Sequence, residues 1–160
     1  MAQSKTDIKT TYPLPSYNYR VTALDIVGLE VVSCSEVTGL GLECQPVTYR
    51  HGLSFISGPV NIPGMRQTPR LTLKKGLTKN GDYLQKWFDE SRSAPLSIRA
   101  KKDIVIDLCD EAGLPVIRWT VIAALPVKLD APTFSASSNE VAIASMEFIA
   151  SDLKVDYHPS

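Results

Sequence analysis

The segment Lys101–Ile149 constrains this chain most. It reads KKDIVIDLCDEAGLPVIRW, then ALPVKLDAP, then SSNEVAIASMEFIA. Successive strand residues point to opposite sides, so Ile104, Ile106 and Leu108 share one face and Val105, Asp107 and Cys109 the other. Asp110-Glu111-Ala112-Gly113 is a short polar loop whose glycine accepts a positive φ. On the return arm Ile117, Trp119 and Val121 lie opposite Val116, Arg118, Thr120 and Ile122. The pattern predicts a β-hairpin. Pro126 and Pro132 bracket an extended connection. Glu140–Leu153 fits two periods. Val141, Ala144, Ser145, Phe148 and Ile149 make a helix face behind Asn139, while Val141, Ile143, Glu147 and Ile149 suit a strand.

Upstream the chain is also mostly β. Residues 1–15 are polar and end in Tyr12-Pro13-Leu14-Pro15, where the prolines impose extended backbone; this reads as an arm. Tyr17–Leu24 alternates and is rich in β-formers. Asp25–Gly28 reads as a turn, Leu29–Val37 as a second strand, and Leu42–Arg50 as a third after the Thr38–Gly41 break. Gln67–Lys75 is a further strand, with Pro69 marking an edge or bulge and Gly76 its end. Asn80–Ser91 is the one helix, with Tyr83, Leu84, Trp87 and Phe88 on one stripe. Asn80 or Thr78 is placed to cap it, Asp82 falls in its first turn, and Ser93-Ala94-Pro95 stops it. The count is about seven strands and one helix. The division is an arm at 1–15, one β domain at 16–155 and a tail at 156–160.

Arg50–Arg66, RHGLSFISGPVNIPGMR, resists this scheme. Three glycines and two prolines argue against a regular element spanning it. It still carries Leu53, Phe55, Ile56, Val60, Ile62 and Met65, too apolar for a disordered linker. Either it folds back as a lid on its own core or it needs a partner surface.

Chemistry is sparse. The 160 residues carry 17 basic and 17 acidic side chains, which gives nothing to favour nucleic acid or anionic lipid and does not oppose self-association. Cys34, Cys44 and Cys109 are odd in number and widely spaced, so buried free thiols are expected rather than a disulfide framework or zinc site. His51 sits beside Gly52 and reads as a polar turn residue; His158 lies near the end. Asp110-Glu111 reads as a solvated hairpin tip. Gly39-Leu40-Gly41 has Cys44 where a dinucleotide loop needs glycine, and Arg99–Lys102 is a short solvated cluster. The polar N-terminus has no apolar stretch of a secretory signal, and the longest apolar run, Val121–Val127, is far short of the ~20 residues of a membrane helix. No cofactor, metal or catalytic set is expected, and no membrane insertion.

Several segments in order resemble the tail-tube family of contractile phage tails and phage-like injection systems. Tyr12–Tyr17 is similar to its extended N-terminal motif, Glu36-Val37-Thr38-Gly39-Leu40 to its "VSGL", and Val47–Gly52 to its tyrosine–basic–glycine strand end. Ile62-Pro63-Gly64-Met65-Arg66 resembles "MPG", and Leu71-Thr72-Leu73-Lys74-Lys75-Gly76 resembles "ITLKRG". Lys102-Asp103-Ile104 with Asp110–Gly113 is similar to "KDI…NEAG", and Ser138–Ile143 to "NEVAIE". Together they run from about residue 12 to 153. Ile62 replaces a usual methionine, Lys75 an arginine and Ala144 an acid, and Leu53–Val60 differs from the commonest version.

The resemblance implies a mainly β, barrel-like sandwich with one flanking helix, and makes Glu140–Leu153 a strand. Six subunits would close into a ring, and rings would stack into a hollow tube inside a sheath. It implies ring–ring contacts through Leu53, Phe55, Ile56, Val60, Ile62, Pro63, Gly64 and Met65. Arm contacts would come through Tyr12, Pro13 and Leu14, and wall contacts between subunits through Val105, Val116, Arg118, Val141 and Ile143. Partners would be further copies of the chain, sheath subunits, a baseplate hub or spike, a tube cap, and cargo protein or phage DNA in the lumen. The chain would be made in the cytoplasm and end in an assembled particle or virion tail. A paralogous initiator ring at the baseplate is the alternative within the family. Outside it, the alternative is a monomeric β-sandwich ligand-binding module, which needs exposed aromatics on one face.

Overall fold

The computed structural model describes residues 12–25, 28–79 and 81–157. In chain order the elements are β1 (Tyr19–Asp25), β2 (Gly28–Val32), β3 (Glu36–Thr38), β4 (Cys44–Tyr49), α1 (Ser54–Ser57), β5 (Val60–Arg66) and β6 (Arg70–Gly76). There follow α2 (Tyr83–Ser93), a 3₁₀ turn (Ile98–Ala100), β7 (Lys102–Cys109), β8 (Pro115–Asp130), β9 (Ile143–Ile149) and β10 (Asp152–Tyr157). The expected β-rich fold is present. The strand count rises from about seven to ten because two expected strands are each two and β5 falls in the segment expected to be irregular. Leu29–Val37 divides into β2 and β3, and the 140–153 segment divides into β9 and β10. The Asp25–Gly28 turn joins paired strand ends, but its central residues lie outside those described.

All ladders are antiparallel. β2, β1, β7 and the first half of β8 form one sheet, with β10 on the far side of β8. The second half of β8, β9, β6 and β3 form the other. The two share β8, which pairs with β7 as far as Ala124 and with β9 from Leu125 onward. The corner lies at Ala123, whose φ of 53° is the one positive value at a non-glycine residue among those described. Its N–H donates to the Asp103 carboxylate at 2.8 Å, which offsets the strain. Bulges beside the corner, at Lys102/Ile104 and Pro126/Lys128, bend both ladders. The connection expected at Pro126 is therefore strand, and its proline sits at a bulge, where a missing N–H is tolerated.

The inner faces of the two sheets enclose Val21, Ile104, Ile106, Val121, Leu71, Leu73, Met146 and Phe148. The α2 helix closes the remaining side. Trp87 stacks on Phe148 with centroids 4.8 Å apart and donates its indole N–H to the Ala100 carbonyl at 3.1 Å. Leu84 is also buried, while Tyr83 and Phe88 pack at the margin, so the apolar stripe read from the sequence faces the core. The helix begins three residues later than expected. Asp82 is its N-cap but makes no side-chain capping bond, and Asn80 lies outside the described residues. Beneath the helix, the buried Lys102 ammonium lies 2.8 Å from Asp25 and 3.7 Å from Glu90, over the Tyr83 and Trp87 rings. Burial alone would lower its pKa. The hydrogen bond to Asp25 and the charges around it outweigh burial and raise it, so the ammonium stays charged.

Candidate assembly surfaces

The segment read as irregular contains regular structure after all. β4 and β5 form a two-stranded hairpin with α1 at its tip. The prolines permit this because the hairpin's outer edges pair with no other described strand, so Pro46 and Pro63 forfeit no ladder bond there. Register places Val47 beside Ile62 and Tyr49 beside Val60 on one face. Thr48 beside Asn61 and Pro46 beside Pro63 occupy the other. The Thr48 hydroxyl bonds the Asn61 side-chain oxygen at 3.1 Å. One face is thus apolar and the other polar or proline. At the tip, the His51 N–H donates to Ser54 Oγ at 2.8 Å, and His51 Nδ1 accepts the Leu53 N–H at 3.2 Å. His51 is the turn residue its neighbours suggest.

Among the described residues this hairpin covers no part of the core. All of β4 is exposed, as is β5 apart from Gly64. Phe55 is 81%, Ile56 74% and Met65 83% exposed; Leu53, Val60 and Ile62 are exposed too. The reading of a lid on its own core is therefore excluded. An isolated two-stranded hairpin is marginal in water, and a contiguous apolar surface of this kind marks an interaction site. Two glycines shape the region. A β-carbon on Gly64 would stand 2.0 Å from the Gln45 carbonyl oxygen across the hairpin. One on Gly39, at φ 88°, would stand 1.9 Å from the Arg70 carbonyl oxygen. The glycines of the "MPG"-like and "VSGL"-like segments are thus steric requirements.

The five residues singled out on wall strands do not converge. Val105, Val116 and Arg118 share the outer face of the first sheet, all half-buried. Ile143 opens β9 in the second sheet, and Val141 precedes that strand, 74% exposed. Arg118 is engaged within its own chain. Its guanidinium meets the Asp107 carboxylate at 2.6 and 3.1 Å, and Arg20 meets the same group at 3.2 Å. Burial alone would raise the Asp107 pKa. The bonds from Arg118 and Arg20 outweigh it and hold the carboxyl below its usual range. Sequence reading missed this triad, because the register that brings three strands' charges together is not written in any one strand. Tyr12 and Pro13 are exposed and Leu14 half-buried; all three lie beside the hairpin tip Asp110–Ala112. The rest of the arm, residues 1–11, is outside the described residues.

The Asp110 carboxylate accepts the Ala112 and Leu114 N–H groups, both at 2.9 Å, which makes it a turn-former. Cys44 is exposed rather than buried. Cys109 is buried, and burial pushes the half-buried Cys34 thiol up to about 11. Among the described residues no group of three or more His, Cys, Asp or Glu could hold a metal ion, and no helix is long and apolar enough to cross a membrane. Trp87 is buried, and Trp119 is half-buried against the core.

The T4-like virus tail tube protein gp19 family matches residues 15–154. No curated protein matches the chain. Among solved structures, a chain of the sheath–tube complex of PVC, an extracellular contractile injection system, in its extended state is similar at TM-score 0.84. It is 29% identical, over 98% of this chain and 99% of the other. A chain of the anti-feeding prophage tube terminating cap is similar at TM-score 0.79 and 32% identity, over 92% and 93%. A chain of the anti-feeding prophage baseplate shares the fold at TM-score 0.82 and 23% identity, over 92% and 97%. With a family match across nearly its whole length, this chain belongs to the tail tube protein family of phage tails and contractile injection systems.

Proposed function

We propose that the chain is the structural subunit of an inner tube, six copies closing into a ring and rings stacking into a hollow tube. The observation that carries this is the β4–β5 hairpin with its α1 tip, an apolar surface on a projecting element that covers none of its own core. A subunit with such a surface needs a second copy. Contacts that close around an axis make a ring, and contacts that repeat along it make a tube. Zero net charge leaves close stacking unopposed. Leu53, Phe55, Ile56, Val60, Ile62 and Met65 carry the contact between rings, with Pro63 and Gly64 setting the hairpin's shape. Val105, Val116, Val141 and Ile143 lie in the wall between neighbours, and Arg118 shapes that wall through Asp107. Tyr12, Pro13 and Leu14 anchor the arm.

Such a tube does no bond chemistry. Driven forward when a surrounding sheath contracts, it acts as a rigid needle, and its lumen holds cargo protein or, in a phage, DNA. Sheath subunits, a baseplate and a tube cap are its partners, and the assembled particle is its place of action. A second reading is a specialised ring at one end of the tube. The 32% identity to a chain of the tube terminating cap supports it. Phe55→Asp or Ile56→Asp tests the stacking. Both side chains are exposed, so the variants keep the circular dichroism and melting temperature of the parent and yield no stacked tubes. Normal-length tubes from either variant, seen by electron microscopy, would sink the proposal.

A further inference from the structure

The hairpin's acceptor is also legible. A groove of about 430 Å³ lies between α2 and the ends of β6, β8 and β9, lined chiefly by Leu77, Leu84, Phe88, Leu129, Pro132 and Phe134. Phe134 is 80% exposed, and Leu77, Val141 and Ile143 beside it are exposed as well. Its two charged lining residues, Lys75 and Asp130, have opposite signs. The groove therefore has an apolar floor and no net charge. The hairpin tip Leu53-Ser54-Phe55-Ile56-Ser57 matches it, being apolar and uncharged.

Position strengthens the match. The hairpin leaves the sandwich at the Arg70 end of β6, where the Gln67 N–H meets the Glu43 carbonyl at 2.9 Å. The groove opens at the opposite end of the same strand, at Lys75-Gly76-Leu77, where the Leu77 N–H meets the Ala142 carbonyl at 2.9 Å. Register carries the polarity through the sheet. β9 runs from Ile143 at the groove to Ile149 at Arg70, and β8 from Leu125 at Ile149 to Asp130 at the groove. The hairpin's root and the groove thus stand at opposite ends of strands roughly 20 Å long. One chain with complementary surfaces at its two ends makes a head-to-tail contact, the geometry of an open stack.

We propose that Phe55 and Ile56 of one copy seat in this groove of a copy in the next ring. The inference rests on the hairpin being the stacking element and adds its receiver. The test is thiol cross-linking in tubes of the full chain. Cys44→Ser removes the exposed thiol, Cys34 reacts slowly with its raised pKa, and Cys109 is buried. On that background, Phe55→Cys with Phe134→Cys in one chain, treated with a short bis-maleimide, gives a ladder of dimers, trimers and higher species. Either substitution alone gives none. Gln85→Trp, on the exposed side of α2 at the groove, keeps the melting temperature and abolishes tubes. Normal tubes without a ladder, or normal tubes from Gln85→Trp, overturn the groove assignment and leave the hairpin reading standing. A ladder from Tyr12→Cys with Phe134→Cys, in place of Phe55→Cys, shows that the arm fills the groove and also overturns it. Normal tubes from Phe55→Asp overturn the hairpin reading itself.

Discussion

Gly39 and Gly64 look alike in sequence and differ in consequence. At Gly39 any β-carbon meets the Arg70 backbone at 1.9 Å, and φ is already 88°. Gly39→Ala should cost more than about 2 kcal/mol of global stability, read from urea melts. Gly64→Ala meets Gln45 of the opposing strand at 2.0 Å, within a hairpin that covers none of the core. It should leave the global melt within about 0.5 kcal/mol of the parent and impair tube formation. A large loss of stability at Gly64 would show that the hairpin is part of the folding unit. Asp107 gives a pH signature. Its folded pKa is held below the unfolded value of about 3.9 by Arg118 and Arg20, against its burial. It therefore adds stability above about pH 4 that is lost as pH falls through the folded pKa. Asp107→Asn should cost about 1–3 kcal/mol at pH 7 and flatten the stability loss below pH 4, measured by urea melts at pH 7, 4 and 3. An unchanged acid slope would contradict this role.

At the scale of elements, α2 is held by Trp87 more than by its own ends. Its N-cap makes no side-chain bond, while Trp87 is buried against Phe148 and bonded to Ala100. Trp87→Ala should destabilise by about 3–5 kcal/mol, as a drop in melting temperature and denaturant midpoint. The helix and the β7–β8 hairpin were legible because period 3.6 and period 2 are local properties. The corner at Ala123 was not. An alanine at positive φ carries no local signal and is imposed by two sheets competing for β8. Residues 50–66 were misjudged as irregular because Gly and Pro punctuate them. In a hairpin whose outer edges pair with no other described strand they are tolerated, and Gly64 is required. The apolar content of that segment left two readings open, a lid on its own core or a partner surface. The exposure of β4 and β5 removes the first, since those side chains do not turn inward.

The whole molecule is a sandwich with different features at its two ends, the root of an exposed apolar hairpin at one and an apolar groove at the other. Under the proposed function that asymmetry is what lets copies stack, and a net charge of zero does not oppose it. Each contact is modest, and repetition around a ring makes the sum strong. This level was invisible in residue patterns alone, since spacing indicates which face is apolar and not which copy covers it. Electron microscopy of the purified full-length chain at high concentration tests the central claim most directly. The account predicts sixfold rings stacked into hollow tubes of uniform width. Monodisperse single chains under the same conditions, with no rings, would contradict it.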